Sequence, residues 1–166
     1  MIVVSDTSPL NYLILIGQQD VLPALFSRVV APPAVLAEMS QTGAPDIVAK
    51  WAATPPAWLE VIAPTSIDAA LPLGAGEVEA IALAQELKAD QLLLDERRAS
   101  NVARRLGLVV TGTLSVLSLA AEQDLLALPA AMAALQQTNF RGPADLIAEL
   151  LKQDAMRRSA GNQTPP

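Results

Sequence analysis

Three short apolar runs punctuate the chain, and each ends abruptly on polar side chains. Ile2-Val3-Val4 leads into Ser5-Asp6, Leu92-Leu93-Leu94 into Asp95, and Leu108-Val109-Val110 into Thr111-Gly112-Thr113. None alternates apolar with polar positions, so each reads as a strand buried on both faces of a parallel sheet. Arg28-Val29-Val30 and Leu59-Glu60-Val61-Ile62 are weaker strand candidates. Helical patterns lie between them. Pro33 suits the first turn of a helix over 33–40. From Gly76 to Lys88, Ile81, Ala84 and Leu87 are spaced along one face. The segment from Arg98 to Leu106 is followed by Gly107, a residue suited to the position just past a helix end. Further helices are predicted over 9–16, with Ser8 as its cap, and over 46–53, 113–123, 129–137 and 143–153. Strand and helix alternate, which predicts an α/β three-layer sandwich: a central parallel sheet of four to five strands flanked by helices. No linker divides the chain, so a single domain is expected over 1–155, followed by a disordered tail over 156–166.

Composition narrows the chemistry. The 166 residues include no His and no Cys. That removes a Ser-His-Asp triad, a Cys nucleophile, an imidazole acid–base pair and a zinc site of His or Cys ligands. Catalysis is left to carboxylates, hydroxyls, Lys and Arg, or to a hard cation held by oxygen. Hydrophobic residues make up 52% of the chain, yet every apolar run falls far short of the roughly 20 residues that span a bilayer. No basic region precedes the first apolar run, and Asp6 interrupts it, so neither a secretory signal nor a membrane segment is expected. A cytoplasmic protein is the reading.

The acids are placed unevenly. In open parallel sheets ligands bind beyond the carboxyl ends of the strands, where Asp6 and Asp95 sit. Glu38 interrupts a mostly apolar helix, and Glu77 opens another, with Glu79 two residues on. Each has a bland alternative: a helix cap for the aspartates, a solvated position for Glu38, a charge favouring a helix N-terminus for Glu77. Together, acids from four separate segments in a chain without His or Cys point to a site for Mg²⁺ or Mn²⁺.

The segments Asp6-Thr7-Ser8-Pro9-Leu10, Val29-Val30-Ala31-Pro32-Pro33 through Glu38, Leu73-Gly74-Ala75-Gly76-Glu77-Val78-Glu79, Leu92-Leu93-Leu94-Asp95-Glu96-Arg97-Arg98 and Val110-Thr111-Gly112-Thr113 resemble, in that order, the blocks of PIN-domain proteins. The set is most similar to the DUF3368 subgroup, relatives of VapC-type toxin nucleases. The resemblance covers about residues 2 to 120. It implies a metal-dependent endoribonuclease in which Asp6, Glu38, Glu77 and Asp95 are catalytic and bind Mg²⁺ or Mn²⁺. It also makes Ser8, Glu79, Glu96 and Thr113 supporting residues, Glu79 being a second candidate for the role of Glu77. Ser100 departs from the subgroup, which usually carries Arg there, and could weaken contacts to a nucleic-acid backbone.

A net charge of -6 argues against a polyanionic substrate. Four of the eleven cations, however, Arg97, Arg98, Arg104 and Arg105, fall within ten residues of Asp95. Arginines at helical spacing suit a phosphate backbone and are candidate RNA-binding residues. The function that the resemblance implies is RNA phosphodiester hydrolysis, as the toxin of a type II toxin–antitoxin pair. The expected partners are an RNA substrate, a cognate antitoxin and a second copy in a homodimer. The alternative is a catalytically silent PIN-like module that binds nucleic acid or protein. A phosphotransferase with an acid two residues after Asp6 is disfavoured, because Ser8 stands there. A dinucleotide-binding domain lacks its glycine motif after the first run.

Overall fold

The computed structural model describes residues 1–161. The chain folds as two compact units, Met1–Thr113 and a second that opens at Leu114. The single domain expected over 1–155 spans both.

The first unit alternates strand and helix: β1 (Ile2–Ser5), α1 (Thr7–Leu15), α2 (Val21–Leu25), β2 (Arg28–Ala31), α3 (Pro33–Met39), α4 (Asp46–Ala53), β3 (Leu59–Val61), α5 (Ala75–Glu86), β4 (Gln91–Leu93), α6 (Arg97–Arg105) and β5 (Val110–Thr111). The five strands form one sheet in the order β3-β2-β1-β4-β5, and every pairing is parallel. The weak strand candidates are thus real strands. Val29 and Val30 register against Val3 and Val4, and Leu59 against Val29.

The strand order fixes where a ligand can bind. From β1 the chain moves outward to β2 and β3, then crosses back to β4 and β5 on the other side of β1. The crevice of such a sheet opens where the direction reverses, beyond the carboxyl ends of β1 and β4. Ser5 pairs with Leu93 there, and the Asp6 N–H extends the ladder to the Leu93 carbonyl at 2.9 Å.

Small side chains let helices approach one face of the sheet closely. Ala80, Ile81, Leu83 and Ala84 of α5, with Ala99 and Ala103 of α6, pack on Val4, Val30, Leu92 and Leu94. All are within a few per cent of complete burial. This is close packing by aliphatic residues, as expected of a chain with 3% aromatics.

Helix ends explain three departures from the sequence reading. α1 begins at Thr7 with Asp6 at the capping position, two residues earlier than a Ser8 cap implies. α2 is not legible in the sequence because Pro23 lies inside it; proline is tolerated in a first turn, where its missing N–H has no helical partner. α6 ends as expected at Gly107, whose φ is +84°. The Leu108 N–H reaches back to the Ala103 carbonyl and Gly107 to Arg104, both at 3.0 Å. That closing motif occupies Leu108, so β5 starts at Val110 rather than at 108.

The second unit is helical: α7 (Thr113–Glu122, whose first residue belongs to the first unit), α8 (Leu128–Gln136) and α9 (Ala144–Gly161). α9 continues to Gly161 where the sequence predicts a tail from 156; residues 162–166 of that tail lie outside the described residues. Buried Asp154 anchors α9. It pairs with Arg157 at 3.0 Å and Arg158 at 2.9 Å, and Arg157 also donates to the Ala121 carbonyl at the end of α7. Among the described residues, no helix is long and apolar enough to cross a membrane.

Candidate metal and nucleic-acid site

Asp6 is the centre of the site. It is 3% exposed, and its Oδ1 is buried without a hydrogen-bond partner. Although it stands at the capping position of α1, its side chain makes no capping bond, so the bland reading of a helix cap fails here. Burial is the largest cause that pushes its pKa from 3.8 up to about 7. The Thr7 backbone N–H partly offsets this, and the negative charges of Glu77, Glu38 and Asp95 add to it. Glu38, Glu77 and Asp95, from three other segments of the chain, therefore lie within electrostatic reach of Asp6.

Glu38, on the last turns of α3, is held from two sides. Thr7 Oγ1 donates to its Oε2, and the Gly76 N–H at the start of α5 donates to its Oε1 at 2.8 Å. The approach is close enough that a Cβ on Gly76 would sit 2.6 Å from Glu38 Oε2. A side chain at 76 would displace the carboxylate, which accounts for glycine at this position.

Glu77 combines both of its sequence readings. It caps the start of α5, accepting from the Gly74 N–H at 2.9 Å, and it also lies within reach of the charges of Glu96 and Glu38. Burial raises its pKa most. Glu96 and Glu38 raise it further, while the Gly74 hydrogen bond and the Arg98 charge lower it. Glu79 is elsewhere. Two residues on, a helix has turned by about 200°, and Glu79 accepts from the Ala34 N–H at 3.0 Å, tying α5 to the start of α3. The geometry separates the two candidates: Glu77 faces the cluster and Glu79 does not.

Asp95 follows β4. The Thr113 N–H donates to its Oδ1 at 2.7 Å and Thr113 Oγ1 to its Oδ2 at 2.6 Å. Burial nevertheless keeps its pKa raised against those hydrogen bonds. The cap of α6 is instead Glu96, which accepts from the Ala99 N–H at 2.6 Å. Hydrogen bonds from the backbone of Arg98 and Ala99 hold the Glu96 pKa below its ordinary value. Ser8 is half-buried on the first turn of α1, next to the Thr7 that holds Glu38. Thr7 carries no signal in the sequence, because its partner is 31 residues away and no local spacing reveals it.

The arginines are not gathered at one point. Arg97 and Arg98 open α6 beside the acids, and Arg104 and Arg105 close it, about 10 Å further along the axis. Ser100 is buried, so the position where the subgroup carries Arg does not face solvent here.

The donor set suits a hard divalent cation: carboxylate oxygens only, one of them buried and unpartnered. Among the described residues, no group of three or more acids already stands in position to hold an ion. Glu38, Glu77 and Asp95 each accept hydrogen bonds from the chain instead. Asp6 Oδ1 is the oxygen left over.

The chain belongs to the PIN-domain family: the family model DUF3368, described as PIN domain, matches residues 2–155. Membership gives it a nuclease-type fold. Among solved structures it is similar to a PilT N-terminus domain protein from the hyperthermophilic archaeon Sulfolobus solfataricus P2. The two share 18% identity with a TM-score of 0.49, covering 86% of this chain and 100% of that one. No curated protein matches the chain.

Proposed function

We propose that this chain is a divalent-metal-dependent endoribonuclease that hydrolyses RNA phosphodiesters. The observation that carries the reading is the convergence of Glu38, Glu77 and Asp95 on a buried Asp6 whose Oδ1 has no partner. Asp6, Glu38, Glu77 and Asp95 would hold Mg²⁺ or Mn²⁺. A bound ion of this kind polarises a phosphate, lowers the pKa of water and stabilises the leaving oxygen. The chain's own residues set the conditions. Thr7 and Gly76 orient the Glu38 carboxylate, and Thr113 orients that of Asp95. Arg98, beside Glu77 and Glu96, supplies positive charge next to the acids for a phosphate. With its pKa near 7, Asp6 sets proton against cation for the same oxygen, so ion affinity falls as pH drops below neutral. The absence of His removes the imidazole pair of a metal-independent ribonuclease.

The biological role proposed is that of a type II toxin acting in the cytoplasm, its site covered by a cognate antitoxin. The high apolar content of the chain, with Leu146 and Met156 exposed on α9, supports a homodimer. A monodisperse monomer in solution scattering removes the dimer. The test of the activity is RNA cleavage by the wild type, Asp6→Asn and Asp95→Asn, each in Mn²⁺ and in EDTA. Cleavage confined to the wild type in Mn²⁺ is expected. Equal cleavage by all three, or cleavage that survives chelation, overturns the mechanism. A wild type that binds Mn²⁺ but cuts no RNA supports the silent module.

A further inference from the structure

α6 is sharply two-sided. Ala99, Ser100 and Ala103 are buried, while Arg97, Arg98, Asn101, Arg104 and Arg105 are exposed. At about 100° per residue these five positions fall within an arc of roughly 120°, so the four guanidinium groups form one continuous stripe. Most of the stripe is not neutralised. Among the described residues, the ion pairs of Arg28, Arg157 and Arg158 are all with acids outside α6. Arg97, Arg104 and Arg105 form no ion pair among those residues, and Arg105 donates to the Asn101 carbonyl one turn back. In a chain of net charge -6, four arginines on one helix face, three of them without an ion-pair partner among the described residues, make a local surface of positive potential.

One end of the stripe touches the candidate site. Arg98 lies within electrostatic reach of Glu77 and Glu96. α6 then runs back antiparallel to β4, carrying Arg104 and Arg105 towards the amino ends of the strands. We propose that α6 is a track for a single nucleic-acid strand, which leaves the acidic cluster past Arg97 and Arg98 and continues to Arg104 and Arg105. The roughly 10 Å between the two pairs accommodates about two to three successive phosphates. Recognition along the stripe is by phosphate charge, with no base-reading element, so the track is indifferent to sequence and requires length. This deepens the ribonuclease reading and rests on it for the point where the strand begins.

The test is fluorescence anisotropy of labelled single-stranded RNA of about 12 and about 4 nucleotides, in EDTA so that binding is read without cleavage. Arg104→Gln/Arg105→Gln is compared with Lys50→Gln/Lys88→Gln, which removes the same charge from exposed positions off α6. The α6 variant is expected to bind the longer strand about tenfold more weakly, with a salt slope reduced by about 1.4 for two lost phosphate contacts. The shorter strand, seated at the Arg97 end, loses less than twofold, and the lysine variant loses little on either. Equal losses on both lengths, or equal losses in the two variants, mean that the arginines act through net charge and overturn the track. So does a wild type with no measurable affinity for the longer strand. If the track binds as described but no RNA is ever cleaved, the nuclease reading falls and the α6 surface stands.

Discussion

Ionisation of Asp6 should destabilise the metal-free fold, and the amount follows from its surroundings. In the unfolded chain the carboxyl titrates near 3.8; in the folded chain burial and three neighbouring acids move it to about 7. Below pH ~4 both states are protonated and the group contributes nothing. Between the two values the unfolded state releases a proton that the folded state retains, so stability falls as pH rises. Above about 7 the loss is complete. At about 1.36 kcal/mol per pH unit, the displacement corresponds to about 4 kcal/mol. Asp6→Asn removes the charge while keeping the shape. In urea denaturation at pH 8 in EDTA, the variant should therefore be more stable than wild type by about 2 to 4 kcal/mol, a rise in midpoint of about 1 to 2 M. At pH 4 the two should denature together. Millimolar Mg²⁺ at pH 8 should stabilise the wild type more than Asp6→Asn, since the variant keeps three of the four carboxylates but loses the buried one. A variant no more stable than wild type at pH 8, or stabilised equally at both pH values, refutes the reasoning.

Three further substitutions probe the supports. Thr7→Val removes the hydroxyl that donates to Glu38; kcat/KM should fall about tenfold with the melting temperature in EDTA little changed, and Thr7→Ser should restore it. Gly76→Ala places a methyl 2.6 Å from Glu38 Oε2, so it should reduce Mn²⁺ affinity measured by calorimetry by at least tenfold, with little loss of stability because the carboxylate at the end of a flexible side chain can move aside. Asp154→Ala strips Arg157 and Arg158 of their shared partner in the second unit. With both arginines partly exposed, a thermal or urea scan should register a loss of about 1 to 3 kcal/mol.

Much of the fold is legible in the chain because a buried strand ending in an acid is a local signal. Ile2-Val3-Val4 and Leu92-Leu93-Leu94 announce β1 and β4, and parallel pairing then sets their carboxyl ends side by side. Glu38 and Glu77 are readable as candidates, but whether they meet Asp6 depends on α3 packing against α5, a tertiary fact. The choice between Glu77 and Glu79 turns on helical phase, which becomes visible once the start of α5 is fixed by the bond from Gly74 to Glu77. Thr7 is masked by Ser8 beside it, and its role rests wholly on a contact across 31 residues. The arginines read as one patch because they are close in sequence. The helix spreads them along its axis, which closeness in sequence does not reveal.

The central claim is that the carboxylates around Asp6 gather to take a divalent cation. A crystal grown in Mn²⁺, with anomalous differences collected at the manganese edge, tests it most directly. The predicted result is a manganese peak bound by Asp6 together with Asp95, Glu38 or Glu77. A well-ordered site with no peak beside Asp6, or with manganese bound only elsewhere, contradicts it.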